Sequence, residues 1–468
     1  MSIFKTDFNK LASKDNTEAT FDVSIETPHE IKVLEPDGYE LSNEAKMAKI
    51  VQESLPPLIS IGNEWFKYCD GFWQKCTIEE YQPCIMEVIP GTFKTARHVG
   101  EIVKHLRIIN QQPPEKIKGA YRKSDSSIEI NIANGILMLD SDMDLRLLPH
   151  DKEKMFTKSL SASYFTDSSA PLFLEVLEQC LPCKEDQRLL KLFCGNILLP
   201  DSRFETALVC IGGAGTGKST LAEAICNALG QGVVVQNSLQ QICSTTGYNL
   251  PGLANSMVNL GTELNATEMA DSSVFKTLVT GETMAVREIY GKPRDMRSTC
   301  KLWFLANNLP RFRHGTKAES RRLRFLEFSR QPSRPDVSLK DRLKYEANGI
   351  LKWMVEGLIE LQGRDSIPEG GERSIQVKKR FILNNDHLMA FVEQCCIIGK
   401  DQKVKKEMLF DRYEEFCQDN STTKLEYSQF WKLVREKIPE ISETRPRLEG
   451  ERIRKCGGIG LRSPVGVC

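Results

Sequence analysis

The chain has 468 residues, 40% of them hydrophobic, which exceeds one ordinary domain and can fill about three or four packed units. Lysine plus arginine (63) balances aspartate plus glutamate (63), so no global basic excess marks a nucleic-acid binder and any such surface must be local. Fifteen cysteines, odd in number and without an apolar leader before them, argue for reduced thiols in a cytoplasmic protein, and no apolar run approaches the ~18 residues of a membrane span.

Residues 1–55 are polar and lack a sustained period, and are expected to form a flexible or extended N-terminal segment. An α+β module is expected over 56–165. There, Trp65, Phe66, Tyr68, Phe72 and Trp73 surround an Asp70-Gly71 turn, and hairpin core is preferred to base-stacking platforms as their role. Val99, Ile102, Val103 and Leu106 lie at helical spacing within 95–109, and alternation across 128–148 around Asn134-Gly135 predicts a second hairpin. Asp140 and Asp142 read as a solvated turn, because no third carboxylate accompanies them as a metal site requires. Residues 166–200 read as a helical collar, two apolar helices broken at Pro182. The C-L-P-C pair, Cys180 and Cys183, lacks a second ligand pair, so packed thiols are preferred to zinc.

The stretch 208–229, LVCIGGAGTGKSTLAEAICNAL, is an apolar strand, a glycine-rich loop and a helix. It fits the phosphate-loop pattern G-x-x-x-x-G-K-[ST], which assigns Gly212, Gly213, Ala214, Gly215, Thr216, Gly217, Lys218, Ser219 and Thr220 to a nucleoside triphosphate. Glycines let several N–H groups converge on one phosphate cluster, Lys218 supplies positive charge, Ser219 a hydroxyl for Mg2+, and the helix its positive N-terminus. A short apolar strand over 256–263 ends in Glu263, an acid placed to hold magnesium and polarise water. A helix is expected over 273–280, then strands at 284–290 and 296–306 whose basic turn carries Lys292 and Arg294, flanked by Arg287 and Arg297. The strand reaching Ala306 ends in Asn307, an uncharged amide suited to orienting water. Residues 311–330 hold seven lysines and arginines against two glutamates, and Arg321-Arg322 is expected to open a further strand. A long amphipathic helix is expected over 339–361, then, after a loop at 363–371, helices at 386–396, 405–419 and 427–438. These, with a basic strand pair, suggest a winged helix.

In order, GGAGTGKST, the strand ending at Glu263, FKTLVTGETMAVREIYGKPRDMRSTCKLWFLANNLPRF and SRRLRFLEF resemble the superfamily 3 helicase domain of phage, plasmid and poxvirus primase-helicases. The likeness runs through 130–461, with NGILMLD before the loop and GILKWMVEGL and GGIGL after it. It implies an α/β chain whose AAA+ (ASCE) P-loop domain with a parallel central sheet occupies 201–365, followed by a winged-helix-like domain at 380–468. It further implies ATP and Mg2+ as cofactors, Lys218, Glu263, Asn307 and Arg322 as catalytic residues, and Ser219 with Glu263 at the metal. Arg322 would be the finger given to a neighbouring subunit, with Arg321 adjacent to it. Lys276, in the motif before the hairpin, would face single-stranded DNA together with Lys292, Arg294 and Arg287. The chain departs from many members at Thr262, where a second acid often stands, and no polymerase-type acid pair or zinc ribbon precedes the motor.

The expected function is an ATP-dependent DNA helicase, a homo-hexameric ring on single-stranded and forked DNA that serves replication of a phage, plasmid or other mobile element beside a separate primase or polymerase. The alternative is an ATP-switched initiator or loader that binds origin DNA without processive unwinding. A small-molecule kinase would need neither the hairpin nor the arginine cluster.

Overall fold

The structure is a computed structural model that describes residues 41–124, 127–244, 247–262, 268–269, 273–287, 294–312, 317–331, 336, 338–420, 422–444, 447–448, 451–452 and 455–462. Two compact units divide the chain, one from residues up to 56 with 78–110, the other from 57–77 with 111–468.

The first unit contains α1 (Asn43–Ser54), α2 (Gln82–Val88) and α3 (Ala96–Ile109). The Ser42 hydroxyl accepts the Ala45 N–H and starts α1, which buries Ala45, Met47, Ala48 and Val51. Residues 43–54 are thus helical where an extended arm was expected, their small apolar stripe being masked by Lys46, Lys49 and Glu53. Thr95 caps α3, and Gln52 donates to Asn110 at 3.0 Å to tie α1 to the end of α3. Residues 1–40 lie outside the described residues.

The second unit opens with an antiparallel meander, β1 (Leu58–Ile61), β2 (Glu64–Cys69) and β3 (Phe72–Cys76), whose last two strands turn at Asp70-Gly71. Trp65, Phe66 and Trp73 are buried, in keeping with the hairpin-core reading. A four-stranded antiparallel sheet follows, β4 (Tyr121–Lys123), β5 (Ser127–Ile132), β6 (Gly135–Asp140) and β7 (Leu145–Leu148). Its last turn is closed by Asp140, which accepts the Asp142 and Asp144 N–H groups and pairs with Arg146. Helices α4 (Pro171–Cys180) and α5 (Lys184–Ile197) flank Pro182 as expected.

The central segment runs β8 (Ala207–Gly212), α6 (Lys218–Leu229), β9 (Val234–Val235), α7 (Leu239–Ile242), β10 (Val258–Gly261), β11 (Glu268–Met269), α8 (Ser273–Thr280), β12 (Thr283–Val286), β13 (Arg294–Arg297), β14 (Lys301–Ala306), β15 (Arg311–Phe312), α9 (Lys317–Arg322) and β16 (Leu323–Phe328). Five strands form a parallel sheet in the order β16-β8-β14-β10-β9. Its central strands β8 and β14 are apolar except for Lys301, because both faces of the sheet are covered. Leu208, Cys210, Leu260, Trp303 and Leu326 pack with α4, α5 and α6, whereas Val209, Ile211, Phe304 and Phe325 pack with α7 and α8.

Three expectations are corrected. The strand expected over 296–306 is two strands, β13 in a hairpin with β12 and β14 in the parallel sheet, separated at 298–300. Arg321 and Arg322 end α9, and the next strand begins at Leu323. The helix expected over 339–361 is α10 (Leu339–Lys344) and α11 (Ala347–Leu361). Between them the Glu346 carboxylate turns back to accept the Leu172 and Phe173 N–H groups at 3.0 and 2.7 Å, supplying the first turn of α4 with acceptors.

After α12 (Glu372–Asn385), a helix that the sequence pattern does not predict, come α13 (His387–Cys395), β17 (Cys396–Lys405), α14 (Lys406–Asp419), α15 (Tyr427–Lys437), β18 (Ser442–Thr444), the short pair β19 (Arg447–Leu448) and β20 (Glu451–Arg452), and β21 (Lys455–Leu461). A small antiparallel sheet in the order β17-β21-β18 packs with the three helices around Phe391, Tyr413, Phe430 and Trp431. Among the described residues every cysteine is a free thiol, no cluster of metal-ligating side chains occurs, and no helix is long and apolar enough to cross a membrane.

Candidate functional site

Strand β8, flanked in the sheet by β16 and β14, delivers the chain to a loop at 213–217 and then into α6. A side chain at Gly212 would put a Cβ 2.1 Å from the Phe328 carbonyl oxygen of β16. Gly217 has φ +87°, and a Cβ there would lie 2.2 Å from Cys180 Sγ at the end of α4, so the thiol supports the loop directly. Gly213 and Gly215 face open space, and Gly217 gives α6 no side-chain cap.

Lys218 is buried at the head of α6. Its ammonium donates to Gly212 O (2.6 Å), Gly213 O (2.7 Å), Thr216 Oγ1 (3.3 Å) and Asn307 Oδ1 (3.5 Å). Every one of these acceptors is neutral, and burial draws the Lys218 pKa below the usual lysine value. A cation so placed, above an open glycine loop and an uncapped helix start, has the chemistry to take an anion such as a phosphate group.

Asn307 reaches Lys218 through sheet register. Ala306 of β14 pairs with Ile211 of β8, so Asn307 follows the end of its strand beside Gly212, the last residue of β8. On the other side of β14, Gly261 of β10 pairs with Phe304, and exposed Thr262 follows it. Glu263 lies outside the described residues. Ser219 is exposed in the first turn of α6. Among the described residues the Ser219 hydroxyl is a side-chain donor that could hold a magnesium ion beside phosphate oxygens and water, which suits a cation that keeps much of its hydration. Gln331, just past β16, donates to Ala214 O at 2.7 Å. Nothing in the local sequence pattern signals that contact.

Arg321 and Arg322 occupy the opposite end of the sheet. Leu323 pairs with Ala207 where β16 begins and Phe328 with Gly212 where it ends, a separation of about 17 Å at ordinary strand rise, with Arg322 one residue further back. Both guanidinium groups approach Glu205 at 3.6 Å, but the Arg321 side chain is 65% exposed and that of Arg322 8%. Arg321 is therefore the one turned outward. Lys276 pairs at 2.9 Å with Glu319, which is fully buried on α9. This pair ties α8 to the arginine-bearing helix.

Arg287 and Arg294 are exposed where the hairpin leaves β12 and enters β13, and the tip with Lys292 lies outside the described residues. The hairpin base is firmly held. Arg297 Nε donates to Gly281 O, Ser298 Oγ to Leu253 O, and the buried Lys301 ammonium to the carbonyls of Leu199, Asp201 and Thr299 at 2.6–3.0 Å. In the C-terminal part, α15 buries Phe430, Trp431 and Val434 and exposes Ser428, Gln429, Lys432 and Arg435. Lys406 lies over the Trp431 ring at 4.3 Å and fixes α14 against it.

Residues 210–322 match a family of unknown function (DUF5906), and residues 385–453 match the RFX DNA-binding domain. No curated protein matches the chain significantly. Two apo structures of the NrS-1 C-terminal region share its fold, with TM-scores of 0.54 and 0.55 at 12% and 11% identity, each covering 90% of this chain and 100% of its own. At that identity the likeness is one of fold alone.

Proposed function

We propose that this chain is an ATP-dependent DNA helicase of the superfamily 3, AAA+ kind, a ring-forming motor that acts in replication of a phage, plasmid or other mobile element. The observation that carries this reading is the meeting of Lys218 and Asn307 at 3.5 Å, at the ends of neighbouring parallel strands, over a glycine loop and an uncapped helix. The DNA-binding-domain match over 385–453 and the fold shared with the NrS-1 C-terminal region support the replication setting.

ATP with its magnesium ion supplies a phosphoryl group for transfer to water, and residues 212–220 would hold the phosphates, with Ser219 and Glu263 at the metal. Lys218 answers the phosphate charge from a site where burial strengthens its field. Asn307, with one donor and one acceptor group, orients a water, and Glu263 accepts its proton. An arginine about 20 Å away at the far end of the sheet cannot serve its own site, so Arg321 or Arg322 serves a neighbour's in a head-to-tail ring. The hairpin and Asn307 stand at the two ends of the run 294–307, and β14 carries displacement from one to the other. Arg287, Arg294 and Lys292 meet the DNA phosphates without base preference.

The test is steady-state ATP hydrolysis with and without single-stranded DNA. Stimulation by DNA is expected, with hydrolysis lost in Lys218→Ala and stimulation reduced in Lys292→Ala; a wild-type protein that binds ATP but turns over no faster with DNA would contradict the motor. The DNA-binding-domain match also favours a second reading, an ATP-switched initiator or loader, for which duplex binding would respond to ATP without multiple turnovers.

A further inference from the structure

Helix α12 ends at Asn385, whose side chain is stitched to the segment that follows Asn307. Asn385 Oδ1 accepts the Phe312 N–H, and Nδ2 donates to Pro310 O at 3.1 Å. The same turn is backed by rings, since Phe381 of α12 meets Phe312 edge-on at 5.7 Å and Phe325 of β16 at 5.2 Å. At its other end α12 holds the sheet edge, where Ser374 Oγ accepts the Glu327 N–H and Arg373 donates to Ser329.

Asp386 alone separates α12 from α13, with φ −131° and ψ 78°. One of its oxygens accepts the Met389 N–H and starts α13, and the other pairs with Lys437, the last residue of α15. Two consecutive residues therefore hold the two ends of the molecule's chemistry: Asn385 holds the loop after Asn307, and Asp386 holds the helix that displays Lys432 and Arg435. With one residue between the two helices there is little slack, and Pro310, whose ring fixes φ, leaves two residues, Asn308 and Leu309, between the held carbonyl and Asn307.

We propose that Asn385 and Asp386, through Lys437, are positioning residues that couple duplex DNA on the outer face of α15 to turnover at the Lys218–Asn307 site. The inference rests on the ATPase reading above. Neither residue touches Lys218, so they set the rate through the placement of Asn307 and not through phosphate binding. By linkage, DNA that favours one position of α15 favours one position of the loop.

The experiment measures ATP hydrolysis across ATP concentrations in the full chain, with no DNA, with single-stranded DNA and with a blunt duplex, for wild type, Asn385→Ala, Lys437→Met and Lys437→Arg. Duplex is expected to change wild-type kcat at least about fivefold, the lower end of ordinary coupling, with KM for ATP little moved. Asn385→Ala and Lys437→Met are expected to lose that response while their duplex affinity, read by fluorescence anisotropy, stays within about twofold, and Lys437→Arg is expected to keep it. Variants that unfold at lower temperature yet retain the wild-type response have only a packing role and overturn the inference. Wild-type turnover that responds to single strands but not to duplex overturns it alone, and absence of wild-type turnover overturns the ATPase reading as well.

Discussion

Gly217 lacks a side chain for two separate reasons, a left-handed backbone and the Cys180 thiol pressed against it. Gly217→Ala should therefore cost about 1–3 kcal/mol in urea unfolding, the usual range for a residue held in a disfavoured conformation. In a double-mutant cycle, Cys180→Ala should recover the steric part and leave the backbone part, so full recovery or no initial loss would contradict the assignment of both causes. Residues of this sort were legible in the sequence because the phosphate loop fixes both spacing and residue type. Asn307 was legible as well, although 89 positions separate it from Lys218, since an amide that closes an apolar strand breaks the hydrophobic run where the chain leaves the sheet. Gln331 and Asn385 were not legible. Their partners are backbone carbonyls and N–H groups far along the chain, and a carbonyl leaves no trace in residue identity.

At the scale of elements, β14 is the member that links the candidate chemistry to its surroundings, with Asn307 beyond one end and Lys301 at the other. Burial lowers the Lys301 pKa from 10.5 to about 8, and three carbonyls hold its proton at neutral pH. Between those two values the unfolded chain binds more protons than the folded one, so unfolding free energy rises with pH across that window and the cost of burying the charge is in full force below about 8. Wild type should accordingly gain in urea midpoint from pH 8 to pH 10 relative to Lys301→Met, and parallel pH profiles would refute the assignment. Helix α8 was read over its full length because its apolar residues are dense and periodic. In α1 the buried stripe is half alanine, and α12 is mostly polar with Val377 and Phe381 as its main anchors, so neither gave a strong pattern. The break between α10 and α11 was hidden because Tyr345 and Glu346 do not disturb helical periodicity, and Glu346 turns away toward the distant N–H groups of Leu172 and Phe173.

For the whole molecule, the proposed motor makes one demand on assembly. The Lys218–Asn307 cluster and the Arg321–Arg322 pair lie at opposite ends of a single sheet, so under that proposal the arginine would come from a second copy arranged head to tail. Exposure divides the two arginines, with Arg321 displayed and Arg322 packed beneath it beside Glu205. Removing both avoids having to choose between them. The decisive measurement is ATP hydrolysis, with single-stranded DNA present, by Lys218→Ala and the double variant Arg321→Ala/Arg322→Ala, each alone and after assembly from a mixture. Each alone should be inactive. The equal mixture should regain activity, at roughly a quarter of interfaces if subunits assemble at random around a head-to-tail ring. No recovery at any mixing ratio, from variants that co-assemble, would contradict a site shared between neighbouring subunits.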